Sequence, residues 1–230
     1  MATIFMVDTK CYVCGKNSRF PQSGPIMDNG TSRDLDGRPS GMGRSNIYMR
    51  VQRCVHCGYC SLEVSQGHES YPDIVNSAAY KAMLYSKEQS ETANSYLCCS
   101  LLLRYSESWS EVGWGALHAA WICDDNKYEE SALRCRKLAL DFFTKTRESG
   151  AAFADSKNEE EVLLIDILRR LGEFEKAGKI CMEMLGKIDN GDIDDDTAEI
   201  ILNYEKHLIE KQDVKCHTFE QAQEMDENQS

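Results

Sequence analysis

The 230-residue chain is 42% hydrophobic and 28% charged, the composition of a globular protein with room for one large domain or two small ones. Residues 1–70 carry eight Lys/Arg and six Asp/Glu, a net +2, and the remainder carries 18 and 32, a net −14. The acidic stretch excludes general phosphate-backbone binding along its length, and the split implies two modules of different character.

No apolar run approaches the roughly 18 residues that a membrane helix needs. Ile4-Phe5-Met6-Val7 has neither the length nor the preceding basic residues of an export signal. The eleven cysteines are therefore expected as reduced thiols in a cytoplasmic protein.

Residues 4–7 are expected as a short strand leading into the first of two matched hooks. These are Cys11-Tyr12-Val13-Cys14-Gly15 and Cys54-Val55-His56-Cys57-Gly58. In each, two cysteines stand two residues apart and a glycine follows, which permits the positive φ of a tight turn. Two such hooks supply four soft ligands in a tetrahedron, the closed arrangement of a structural zinc site. The 39 residues between Cys14 and Cys54 exceed the usual spacing of about 15–20 and imply an insertion between the knuckles. One zinc per chain on Cys11, Cys14, Cys54 and Cys57 is expected. Iron, held as in rubredoxin by the same two hooks, is the alternative. Four thiolates leave no open position for water, so no catalytic residue is assigned at the metal. Cys60, three residues past Cys57, is a spectator, a substitute ligand or an accessible thiol beside the ion.

From Asn17 to Ser45 hydrophobic periodicity vanishes, and the stretch reads as loop. Within it Arg33, Asp34, Asp36, Arg38 and Arg44 set both charges in a glycine-rich segment. The arginines can hold a carboxylate or phosphate, or pair with the aspartates and order the loop. Ile47, Met49 and Val51 then alternate, predicting a strand over 47–53 that enters the second hook.

Past residue 72 the period becomes helical. An offset of 46 pairs Tyr128 with Phe174, Cys135 with Cys181 and Leu138 with Met184, so the chain repeats itself. Leu171-Gly172-Glu173-Phe174-Glu175-Lys176-Ala177 is similar to the turn of a tetratricopeptide repeat. A weaker hairpin spans 74–86 and 91–105, and Asp196 or Thr197 can cap a last helix. The buried-type positions of Cys98, Cys99, Cys123, Cys135 and Cys181 suit packing, as do Trp109, Trp114 and Trp121. Residues 212–230 are expected as a polar, frayed tail.

On Cys11-x-x-Cys14, Asp34-Leu35-Asp36-x-Arg38-Pro39, Arg44-Ser45 and Gln52-x-Cys54-x-x-Cys57-Gly58-Tyr59, the chain resembles a family of bacterial proteins with an N-terminal zinc ribbon. The likeness continues through 120–125 and Leu168-Arg169-Arg170-x-Gly172-x-Phe174. The resemblance implies the architecture and supplies no reaction.

The expected fold is α+β and mostly α. A zinc ribbon occupies residues 1–70, an antiparallel, tetratricopeptide-like α-hairpin array 71–211, and the tail 212–230. The expected function is binding of a protein or peptide, one with basic residues given the −14 charge, through a groove of the array. Glu111, Glu160, Arg169 and Arg170 would line that groove. A metal-associated enzyme or redox protein using Cys60 is the rival reading, and nucleic-acid contact by the ribbon is a third. No membrane partner is expected.

Overall fold

The computed structural model describes residues 3–24 and 32–228. The chain is mostly helical, with two small two-stranded antiparallel sheets toward its N-terminus. It divides into two compact units, residues 1–29 with 41–145 and residues 30–40 with 146–230. This division differs from the expected boundary near residue 70. The hooks share a unit with the first helices, and part of the segment between the hooks belongs with the C-terminal helices.

In the first unit β1 (Ile4–Lys10) pairs with β2 (Asn17–Ser23), from Ile4 opposite Ser23 to Lys10 opposite Asn17. The sequence reading placed β2 in loop. Its inward residues are Ser18 and Phe20, both buried, and Pro21 is tolerated because a two-stranded ribbon offers every strand a free edge.

A second correction falls on residues 47–53. Gly41–Arg50 form helix α1, and only Gln52–Arg53 remain as a strand, β3. Ile47, within the helix, and Val51, just past its end, are both buried, and a spacing of four fits a helix as readily as alternation fits a strand. The Tyr96 hydroxyl donates to the Ile47 carbonyl at 2.6 Å and anchors that helix. Strand β4 (Cys60–Ser61) closes on β3 around the second hook.

The expected helix over 74–86 is two, α2 (Tyr71–Asn76) and α3 (Ala78–Leu84). Ser77 interrupts them, its hydroxyl accepting from the Tyr80 N–H as an N-cap. Helix α4 (Glu91–Leu103) packs along α5 (Trp109–Asp125), and α6 (Glu129–Glu148) follows. On α5 the His118 ring meets Tyr96, Trp114 and Trp121 in tilted or edge-on contacts, and Trp114 meets Phe143 edge-on, so two of the three tryptophans are packing residues with His118 among them.

The second unit holds α7 (Lys157–Arg170), α8 (Phe174–Asp189), α9 (Asp196–Glu210) and α10 (Phe219–Glu227). Helix α7 packs on both α8 and α9, and α10 on α9. Helix α10 lies where a frayed tail was expected. A reciprocal capping box between Thr218 and Gln221 starts it, and Ala222 is fully buried beside Leu35, Tyr204 and Leu208.

Helices α5 and α7 end in the same way. Lys127 and Gly172 take φ of 61° and 77°, and the next N–H reaches back five residues, Tyr128 to Cys123 and Glu173 to Leu168, at 2.9 Å in both. The two turns are 45 residues apart, and Ala132 and Ala177, five residues beyond each, are both buried.

Three of the four residues expected to line a groove are inside the protein: Glu160, Arg169 and Arg170 are buried, while Glu111 is exposed. Glu160 is turned inward by the Phe153 N–H at 2.7 Å and Arg147 at 3.1 Å. Arg169 and Arg170 face buried carboxylates.

Candidate metal centre

Each hook is a loop between paired strands, β1 and β2 for the first, β3 and β4 for the second. Their backbones repeat the same two bonds. Gly15 N–H donates to Cys11 O and Gly58 N–H to Cys54 O, each at 2.9 Å. Cys11 N–H returns to Lys16 O at 2.9 Å and Cys54 N–H to Tyr59 O at 2.8 Å. Gly15 and Gly58 have φ of 70° and 81°, the left-handed turn that the sequence reading required of them.

The two hooks face each other. Cys11 Sγ lies 3.7 Å from Cys57 Sγ and Cys14 Sγ lies 3.7 Å from Cys54 Sγ, with all four sulfurs within 4.8 Å of one another. A tetrahedron with metal–sulfur distances of about 2.3 Å has edges of about 3.8 Å, and a disulfide would bring two sulfurs to about 2 Å. The four cysteines could hold one metal ion. Burial raises the Cys54 thiol, but N–H groups of Cys57 and His56 and the thiols of Cys11 and Cys57 outweigh it and bring it down to about 6. Burial first, and then the thiols of Cys54 and Cys11, push Cys57 up. The pocket thus favours a thiolate at Cys54 and opposes one at Cys11 and Cys57, a balance that a divalent cation reverses.

Around this cluster the second hook is bonded to α3. Tyr80 Oη accepts from the Cys60 N–H and donates to the Gly58 carbonyl, both at 3.0 Å. Lys81 Nζ donates to the Cys57 carbonyl at 2.6 Å. A Cβ on Gly58 would stand 2.5 Å from Leu84 Cδ2, so helix and hook are in close contact. The sequence reading missed Tyr80 and Lys81, which lie more than 20 residues beyond the hook and carry no spacing signal. His56, between the two cysteines of its hook, is turned to the Asn17 carbonyl at 3.2 Å. Cys60 lies outside the group of four, fully buried, with Sγ 3.4 Å from the Gly58 carbonyl. Burial removes the accessibility that a reactive thiol needs.

Of the five residues of the inter-hook segment, Arg33, Asp34, Asp36 and Arg38 belong to the second unit and Arg44 to the first. Arg33 is exposed, and its carbonyl accepts from Phe219 N–H at 2.9 Å. Asp34, Asp36 and Arg38 are buried. Arg38 Nε pairs with Asp34 Oδ2 at 3.1 Å, and Asp36 takes the Arg38 N–H at 3.2 Å and Arg170 Nη1 at 3.2 Å. Arg44, in the other unit, pairs with Asp125 through Nε at 3.1 Å. The segment bridges to Thr218 through Asp34 and seats Leu35 in the core of its unit.

Among the described residues no helix is long and apolar enough to cross a membrane. Comparisons with family models, with curated proteins and with solved structures each give no match for this chain.

Proposed function

We propose that the chain is a zinc-stabilised interaction protein, its metal structural and its task the binding of another protein. The observation that carries the first half is the pair of 3.7 Å sulfur–sulfur approaches between hooks, the edge length of a closed four-thiolate site with no position left for a reacting water. Zinc suits four cysteines and a non-redox structural role, and iron is the competitor that the same geometry accepts.

Support for the second half comes from side chains around the hooks. Ile4, Phe5 and Met6 of β1, Tyr12 in the first hook and Val55 in the second are large apolar residues left exposed, Val55 by 79%. Such a concentration on a small ribbon suits contact with a partner. The burial of Glu160, Arg169 and Arg170 moves the proposed contact away from the groove positions read from the sequence. The acidic helices, whether or not they form a tetratricopeptide-like array, would steer a basic partner toward the protein.

The test is in two arms. Elemental analysis of the full chain should find one zinc. Capture experiments should find a protein retained by wild type and lost by a Phe5→Ser, Val55→Ser double variant that keeps its zinc. Equal retention by both would overturn the ribbon as the contact surface.

A further inference from the structure

The core of the second unit contains more carboxylates than cations. Arg38, Arg169 and Arg170 are buried there with Asp34, Asp36, Asp166 and Glu205, while Glu160 pairs with Arg147, which also meets Glu161. Arg38 pairs with Asp34 and Arg170 with Asp36. Arg169, fully buried, is left facing two carboxyl groups.

All five of its N–H groups are engaged. Nε reaches Glu205 Oε2 at 2.6 Å, Nη2 reaches Asp166 Oδ1 at 2.5 Å and Glu205 Oε1 at 3.5 Å, and Nη1 reaches the carbonyls of Asp213 and Lys215, both at 2.8 Å. Asp166 Oδ2 is buried without a donor, and the two carboxyl groups meet at the same Arg169 Nη2. The cluster has one negative charge too many and one carboxylate oxygen too few donors. A single proton between the two carboxyls removes both defects.

We propose that Asp166 and Glu205 hold one shared proton in the folded protein at neutral pH, and that its loss in alkali is a switch that loosens α9 from α7. The proton sits on Glu205 and is donated to Asp166 Oδ2, leaving Glu205 Oε2 to accept from Arg169. Burial pushes Glu205 up to about 8, the neighbouring Asp166 adds to this, and Arg169 opposes it. The groups facing the pair are Arg169 of α7, Cys181 of α8 and Tyr204 on α9 itself; Arg170, Lys206, Asp213 and His217 stand beside those in turn. None of them is a buried cation free to neutralise a second carboxylate. The consequence reaches further than one contact, because Arg169 also holds the 213–215 backbone that leads to α10.

The folded pair binds one proton more than the same groups in the unfolded chain, where a glutamate titrates near 4.5. Stability from this source is therefore full below about pH 4.5 and is lost as pH rises toward about 8. The experiment is denaturant unfolding of the full chain from pH 5 to 9, wild type against Glu205→Gln, which keeps the neutral hydrogen bond. Relative to the variant, the wild-type folding constant should fall by up to about tenfold per pH unit across that window and then level off. Parallel pH profiles would overturn the proposal. An independent readout on wild type alone is an infrared carboxylic-acid band present at neutral pH and fading in alkali. A spectrum without that band at neutral pH would equally overturn it.

Discussion

Lys81 of α3 donates to the carbonyl of Cys57 at 2.6 Å, so the second hook is held by a helix of the same unit as well as by the first hook. With the two bonds of Tyr80, three hydrogen bonds tie this knuckle to α3. Chelation should therefore raise amide exchange in both hooks and also in α3. The helices of the second unit should keep their protection. Exchange confined to residues 11–15 and 52–60 would show that α3 stands without the metal.

Gly58 is the more sensitive of the two hook glycines. An alanine there adds a residue in the left-handed region, costing about 1–2 kcal/mol, and places Cβ 2.5 Å from Leu84 Cδ2. Gly172 has a similar φ, with nothing within 4 Å of a Cβ. Gly58→Ala should lose metal affinity in chelator competition. Gly172→Ala should keep it and lose only about 1 kcal/mol of stability. Equal metal affinity for both variants would count against the close fit of hook and helix.

Cys60→Ser should retain the full complement of metal, because Cys60 stands outside the four-sulfur group. Its cost is in packing, about 1–2 kcal/mol for placing a hydroxyl in a site built for a thiol. A variant without metal would make Cys60 a ligand.

His118 gives the first unit an acid limit. Burial, and then the charge of Arg50, bring the imidazole down to about 3, whereas in the unfolded chain it takes a proton below about 6.5. The unfolded state thus binds more protons between these values, and stability falls as pH drops through the window, by up to about tenfold in the folding constant per unit. His118→Gln should flatten that slope in thermal unfolding measured between pH 4 and 7. An unchanged slope would place the acid sensitivity elsewhere.

What the sequence disclosed follows the range of each signal. The hooks were legible because their chemistry is in the spacing itself: cysteine, two residues, cysteine, glycine. Residues 47–53 were not, since Ile47, Met49 and Val51 alternate while Ile47 and Val51 also have the spacing of four that suits a helix, and the choice falls to contacts such as Tyr96 on the Ile47 carbonyl. Strand β2 was hidden by Pro21 and by having two inward residues. The role of the Asp34–Arg38 segment depends on Arg170, whose partner Asp36 is 134 positions away, beyond any local pattern. Helix α10 had a readable capping box in Thr218 and Gln221, but its single buried residue, Ala222, left no hydrophobic period to notice.

The central claim is that Cys11, Cys14, Cys54 and Cys57 close around one structural zinc. Metal-edge X-ray absorption on the full chain, with elemental analysis of the same sample, tests it most directly. The account predicts one zinc per chain with four sulfur neighbours at about 2.3 Å and no oxygen or nitrogen ligand. A chain that folds without metal, a zinc with fewer than four sulfurs, or iron in its place would contradict it.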